Sequence, residues 1–134
     1  MSVILPSRSV ILEIARRQSK LFSVSEIEMN DKKLSAALAW PRLMIKSDPA
    51  VNVFQVAASL LTGILSEKPV NIGNPHLAFI LMMIILRRNG VVLDITNQDA
   101  FKIMSAVISG QLEEDQLVKL ITEKSIPQAF AELT

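Results

Sequence analysis

Apolar residues along this chain recur at the spacing of three and four residues that is typical of amphipathic helices, and polar or proline-containing stretches separate the periodic segments. The pattern predicts helices over most of the chain. The predicted helical segments are residues 7–22, a helix beginning at Asn30 or Asp31, Val53–Leu65, 75–88, a helix from Thr96 to Ser109, and a last helix beginning at Glu113–Asp115. We therefore expect an all-α bundle of about six helices in a single domain that spans residues 1–134.

The most apolar segment is Leu77–Leu86, which contains ten apolar residues in succession. Asn74 is predicted to cap this helix with its side chain, Pro75 fits the first helical position, and Gly90 ends the helix. Because no face is left for water, we predict that this is the buried central helix, with Val53–Leu65 as its partner. The run is shorter than the roughly 18 apolar residues that a bilayer requires, so we expect no membrane association.

Single residues and one short stretch before Gly90 add further predictions. Ser23–Asn30 is polar enough to form a loop. Pro41 should limit how far the second helix continues, and Trp40 should pack at the end of that helix. Met82 and Met83 are interpreted as core filling. The residues predicted to face the core on the first two helices are Ile11, Ile14, Ala15, Leu34, Ala37 and Leu38.

After Gly90, the β-branched stretch Val91–Ile95 predicts a short extended connector. Thr96 and Asp99 resemble a capping box in which the carboxylate of Asp99 reaches back. Pro127 should interrupt the last helix and leave residues 128–134 as a short tail. The residues predicted to face the core here are Ala100, Ile103, Met104, Val107, Ile108, Leu117, Leu120 and Ile121, with Ala129, Phe130 and Leu133 of the tail still to be buried.

Composition and charge exclude several classes of function. Fourteen basic and thirteen acidic residues give a net charge of +1 without a basic block, so we expect no nucleic-acid partner. There is no cysteine and only one histidine, His76, which argues against disulfides and against thiolate or histidine metal sites. The first residues do not resemble a signal peptide, and we therefore expect a cytoplasmic location.

The order of these segments resembles that of the Fic/Doc family, specifically the Doc branch of death-on-curing toxins from toxin–antitoxin modules. The resemblance covers most of the chain. Its landmarks are Leu34–Pro41, Ala57–Lys68, Arg88–Gly90, Asp99–Phe101 and Ser109–Gly110. The resemblance implies an all-α bundle around a central helix, with the active loop at the N-terminus of that helix.

In active members of the Doc branch the loop reads approximately His-Pro-Phe-x-Asp-Gly-Asn-Lys-Arg-Thr, and the corresponding stretch here is Lys68–Leu77. Three of the family's loop residues are kept, namely Pro69, Gly73 and Asn74. The residues of the family's chemistry are replaced: Lys68 stands at the position of the catalytic histidine, Ile72 at that of the acidic metal ligand, and Pro75 and His76 at those of the Lys-Arg pair.

These replacements weaken each part of the chemistry that the resemblance implies. An exposed lysine stays protonated and is a poor general base, and an isoleucine cannot bind Mg²⁺. Gly73, Asn74 and His76 are left as a residual phosphate-binding site. The plainer alternatives stay open: Lys68 as a solvated loop lysine, His76 as a surface or capping residue, and Gly73 with Asn74 as only a turn and a cap.

We therefore expect a degenerate Doc-like protein without transferase activity or cofactor, which acts as a binding or regulatory protein, within a toxin–antitoxin module. The alternative is a weakly active enzyme that uses ATP and Mg²⁺ to transfer phosphate or AMP to a protein, and a scaffold role differs from both. A mean hydropathy of +0.38 predicts apolar surface left over after folding. This surface would form a homodimer or would accept an antitoxin-like helix of a protein partner.

Overall fold

The computed structural model describes residues 3–22 and 26–133, so part of the predicted loop Ser23–Asn30 lies outside the described residues. Within this part of the chain there are seven α-helices and two short strands, and the prediction of an all-α fold is confirmed. The helices are α1 (Arg8–Ser19), α2 (Asp31–Ser47), α3 (Val53–Glu67), α4 (Asn74–Arg88), α5 (Asn97–Ile108), α6 (Glu114–Lys124) and α7 (Gln128–Leu133). The strands are β1 (Val91–Leu93) and β2 (Ser125–Pro127), and a 3₁₀ turn (Lys20–Phe22) follows α1.

The most enclosed helix is α3, which packs against α2, α4 and α6. Six consecutive residues, Val56–Leu61, are buried, and six residues exceed the 3.6 residues of one helical turn. Water therefore reaches no side of α3 along this stretch. At the start of α3, Asn52 and Gln55 exchange two hydrogen bonds of 2.9 and 3.0 Å between side chain and backbone, which satisfies two open N–H groups.

Helix α4 lies beside α3 but is buried on one side only. Its buried residues are Leu77, Ala78, Leu81, Met82, Ile85 and Leu86. The prediction that α4 leaves no face for water is wrong, and so is the placement of Met83 in the core, because Met83 is 39 % exposed. The physical reason is that α1, α3 and β1 cover only part of the circumference of α4. The remaining apolar residues of α4 line surface grooves.

Helix α2 does not end near Pro41 but continues to Ser47. Pro41 lacks the N–H that would bond to the carbonyl of Ala37. That carbonyl faces α3, where a Cβ atom built on Gly63 would lie 2.5 Å from the Ala37 oxygen. Because Pro41 is buried in the core, its packing outweighs its tendency to end the helix. Trp40 consequently stands in mid-helix and is 57 % exposed, rather than packed at a helix end as predicted.

The predicted extended connector is strand β1, which pairs antiparallel with β2. The amide of Asp94 bonds to the carbonyl of Lys124, and the amide of Gln128 bonds to the carbonyl of Gly90, both at 2.8 Å. Pro127 falls between the hydrogen-bonded pairs of this ribbon, where its missing N–H is not required. Pro127 therefore ends a strand, and residues 128–133 of the predicted tail form α7.

Helices α5 and α6 lie in the segment between the two strands. Of the side chains of α5, all described by the structure, Ile103 alone is buried, and the predicted core residue Ile108 is 59 % exposed. The Thr96 side chain accepts a bond from the Asp99 amide at 3.1 Å, but among the described side chains the reciprocal bond of the predicted capping box is absent. Helix α6 packs more firmly, because Leu117 and Ile121 are fully buried, as predicted.

Candidate functional site

The loop between α3 and α4 corresponds to the active loop that the family resemblance implies. Lys68 ends α3 in the left-handed conformation with φ of 52°, and its side chain is exposed. Gly73, with φ of 80°, precedes the first residue of α4. A glycine adopts this conformation freely, whereas a lysine does so at a cost of about 1 kcal/mol. Both ends of the loop are thus sharp backbone turns.

The side chain of Asn74 closes this loop from within. Its Oδ1 accepts a hydrogen bond from the Val70 amide at 3.0 Å, and its Nδ2 donates to the Val70 carbonyl at 2.9 Å. The prediction that the side chain of Asn74 caps α4 is therefore wrong. Gly73 occupies the N-cap position and has no side chain with which to cap the helix. The side-chain amide of Asn74 bonds instead to the backbone of Val70.

A second segment, residues 26–30, runs antiparallel to the loop and bonds to its backbone edge. The amide of Asn30 donates to the carbonyl of Pro69 at 2.8 Å. The amide of Asn71 donates to the carbonyl of Glu28 at 3.1 Å, and the Asn71 side chain accepts from the Glu28 amide at 2.9 Å. This edge of the loop is consequently occupied by the protein's own chain.

Gln18 of α1 joins the loop to the first turn of α4. Its side chain is only 4 % exposed, its Nε2 donates to the carbonyl of Gly73 at 3.2 Å, and its Oε1 lies 2.8 Å from Nδ1 of His76. Because the carbonyl of Gly73 fixes which end of the amide is the donor, Nδ1 of His76 must donate to Gln18. Sequence reasoning missed Gln18. The sequence feature that could have revealed it is the position of this polar residue in line with Ile11 and Ala15 on the apolar face of α1.

The structure places the predicted site residues on different sides of the loop. Lys68 lies at the end of α3, Ile72 is half-buried, and Pro75 and His76 are exposed on the first turn of α4. Gly73, Asn74 and His76 are adjacent, but the Gly73 carbonyl, the Asn74 amide and Nδ1 of His76 all bond within the protein. Within residues 3–22 and 26–133, no three side chains of His, Asp or Glu are grouped to bind a metal ion.

Beyond His76, an apolar groove of about 290 Å³ runs between α4 and α5. Phe101 and Ile108 of its α5 wall are 73 % and 59 % exposed. The groove is lined by Pro75, His76, Phe79, Ala100, Phe101, Met104, Ser105 and Ile108. We call it the α4/α5 groove. Its lining can accept apolar side chains, and His76 provides an imidazole at one end.

A second groove of about 340 Å³ lies along β1, beside Ile80, Met83 and Ile84 of α4. The residues on its β1 wall, Val92 and Leu93, are half-buried or buried, and Met83 is the one exposed large apolar side chain among its lining residues. The larger share of exposed apolar side chains thus belongs to the α4/α5 groove.

No protein-family model matches the chain, and no curated protein sequence matches it. The resemblance to the Doc branch therefore stays a prediction that rests on the residues quoted for it. Among the described helices, none is both long and apolar enough to cross a membrane.

Proposed function

We propose that this chain is a Doc-like binding protein without transferase activity, and that it holds the apolar face of a partner's amphipathic helix in the α4/α5 groove. The observation that carries the proposal is the exposure of Phe101 and Ile108 along this groove. Large apolar side chains that stay in water beside an apolar groove mark a contact surface. A helix laid between two helices is a common form of peptide recognition.

The chemistry of the loop supports a binding role over a transferase. Lys68 is exposed at the end of α3, and Ile72 provides no oxygen ligand for Mg²⁺. The bonds of Gly73 and Asn74 to Gln18 and Val70 hold the loop in one closed arrangement. A phosphate would have to compete with these bonds, and Pro75 offers it no N–H group.

A binding experiment with methyl-labelled methionines tests the groove. The probe is a synthetic 18-residue helix with a leucine face and an uncharged face of Gln and Ser. We expect the NMR signal of the Met104 methyl group, which lies in the groove, to shift and saturate, while that of Met44 on α2 stays in place. Phe101→Asp should weaken binding roughly tenfold to hundredfold, because a buried aromatic side chain contributes about 1.5–3 kcal/mol.

Phe130→Asp is the matched control, since Phe130 is similarly exposed at 60 % but lies on α7 outside the groove. Equal loss of affinity in both variants, or no shift of Met104 at millimolar peptide, would overturn the groove proposal. A shift of the Met104 methyl signal that grows with protein concentration in the absence of peptide would identify a second copy of this chain as the occupant. Light scattering over the same concentrations separates the dimer from the complex with peptide.

The transferase alternative is tested with ATP labelled at the α- or γ-phosphate and a translation factor as acceptor. We expect no label on the acceptor, because base, metal ligand and phosphate contacts are replaced together. Label transfer that disappears in Lys68→Ala would establish the enzyme and end the proposal of a pure binding protein.

A further inference from the structure

Exposed apolar residues form a line along the outward side of α2. Its inward side is buried through Leu34, Ala37, Leu38 and Pro41. On the opposite side, Ala36, Trp40 and Leu43 follow each other at spacings of four and three residues, so they form one line along the helix. Trp40 is 57 % and Leu43 is 49 % exposed. The line is about 10 Å long, which is the length of a two-turn helix contact.

Positive charge borders this line, and negative charge is absent from it. The segment 32–47 contains four basic residues and no Asp or Glu. The basic residues are Lys32, Lys33, Arg42 and Lys46, and all four are exposed. The one acidic residue of α2, Asp31, is bonded to Arg8 of α1. Against a net charge of +1 for the whole chain, this is a local concentration of charge.

We propose that this surface, the outer face of α2, binds an amphipathic helix of a protein partner whose apolar seam is bordered by Asp and Glu. The apolar seam packs along Ala36, Trp40 and Leu43, and the small side chain of Ala36 leaves room beside the Trp40 ring. The partner's carboxylates face the four cations, which speeds encounter and fixes orientation. The site is separate from the α4/α5 groove, because α3 lies between α2 and α4.

The same observations disfavour other occupants. Two copies of this chain that met through the outer face of α2 would bring eight cations together, twice the four on one copy, without a compensating carboxylate in either segment 32–47. A helix that lies on a membrane inserts a broad apolar face, whereas the broad apolar face of α2 is in the core. The exposed line of Ala36, Trp40 and Leu43 is narrower than the buried face and fits a partner helix.

Trp40 reports on this surface directly, because it is the only tryptophan of the chain. The probes are two synthetic 21-residue helices with the same Leu and Ala seam, one bordered by Glu and the other by Lys. We expect the Glu peptide to shift the emission of Trp40 in the full chain to shorter wavelength, saturably and less at 0.5 M salt. The Lys peptide should leave the emission unchanged.

The double variant Lys32→Glu with Lys46→Glu should weaken binding of the Glu peptide at least roughly tenfold, as two attractive contacts become repulsive. Its matched control is Lys119→Glu with Lys124→Glu, two exposed lysines on α6. The control should bind like the original chain, measured for both by calorimetry, while circular dichroism checks that both variants fold.

Three results would overturn the proposal. The first is no change of Trp40 emission with the Glu peptide. The second is a larger shift with vesicles of anionic lipid or with a DNA duplex than with the peptide, which would assign the surface to a membrane or to nucleic acid. The third is a shift that grows with protein concentration alone. None of these three results depends on the α4/α5 groove, because binding there is tested with an uncharged peptide and is measured at the methyl group of Met104.

Discussion

Replacing Gly63 by alanine tests the contact between α2 and α3. A Cβ at this position would lie 2.5 Å from the carbonyl oxygen of Ala37 and 3.3 Å from its carbonyl carbon. Both atoms belong to the backbone, so no rotation of a side chain relieves the contact. The two helices must move apart by at least 0.5 Å to reach the 3.0 Å below which real Cβ contacts are essentially not found.

The size of the effect follows from two opposing contributions. A gap of about 0.5–1 Å removes a quarter to a half of the dispersion attraction of each contact across it, and overpacked cores typically lose about 1–3 kcal/mol. Alanine is better than glycine inside a helix by about 1 kcal/mol, which offsets part of this loss. Because the contact is with backbone, we expect a cost near the upper end and a net loss of about 2 kcal/mol for Gly63→Ala.

Urea unfolding followed by circular dichroism measures this loss. With a slope of about 1.5–2 kcal/mol per molar urea, the midpoint should fall by about 1 M at unchanged slope. Ser66→Ala, at an exposed position of α3, should change stability by less than about 0.5 kcal/mol. Adding Ala37→Gly should not rescue Gly63→Ala. A midpoint at or above that of the original chain would show that the helices are not in close contact here.

Three further outcomes follow from the structure. Ser59→Ala should raise the unfolding free energy by about 0.5–2 kcal/mol, because the buried Ser59 hydroxyl finds no partner among the described residues; a lower melting temperature would contradict this. Gln18→Leu should lower stability by about 1–3 kcal/mol and reduce the Nδ1–H tautomer of His76 in ¹⁵N NMR, whereas an unchanged imidazole spectrum would refute the Gln18 bond. Asn74→Ala should speed hydrogen exchange at the Val70 amide; equal exchange rates would contradict the side-chain bond.

The helices were predictable because each carries its own apolar period and its own start and stop residues. The path of α2 beyond Pro41 was not, because it depends on the burial of Pro41 in the tertiary structure, next to the close contact between the Ala37 carbonyl and Gly63 of α3. The pairing of β1 with β2 could not be predicted from the sequence for a similar reason. Residues 91–95 indicate an extended backbone, but their partner strand follows two helices later.

The candidate site, like the fold, was predictable only in part. Gly73, Asn74 and His76 are neighbours in sequence, so their proximity in space follows directly from the sequence. Their bonding partners Gln18 and Val70 were not predicted, because a side-chain amide can pair with any nearby backbone group and only the tertiary structure selects one. The α4/α5 groove was missed because α5 has an apolar pattern that predicts burial, while the fold buries only part of it.

The two walls of the α4/α5 groove, from α4 and α5, are anchored in the core to different extents. The wall from α4 is fixed, since six of its side chains are buried in the core. The wall from α5 is anchored less firmly, since Ile103 alone among its side chains, all of them described, is buried. The paired strands hold both ends of the segment that contains α5, so we expect α5 to move outward more easily than the ribbon or α6. If a partner helix binds as proposed, we therefore expect the width of the groove to adjust to the bulk of that helix.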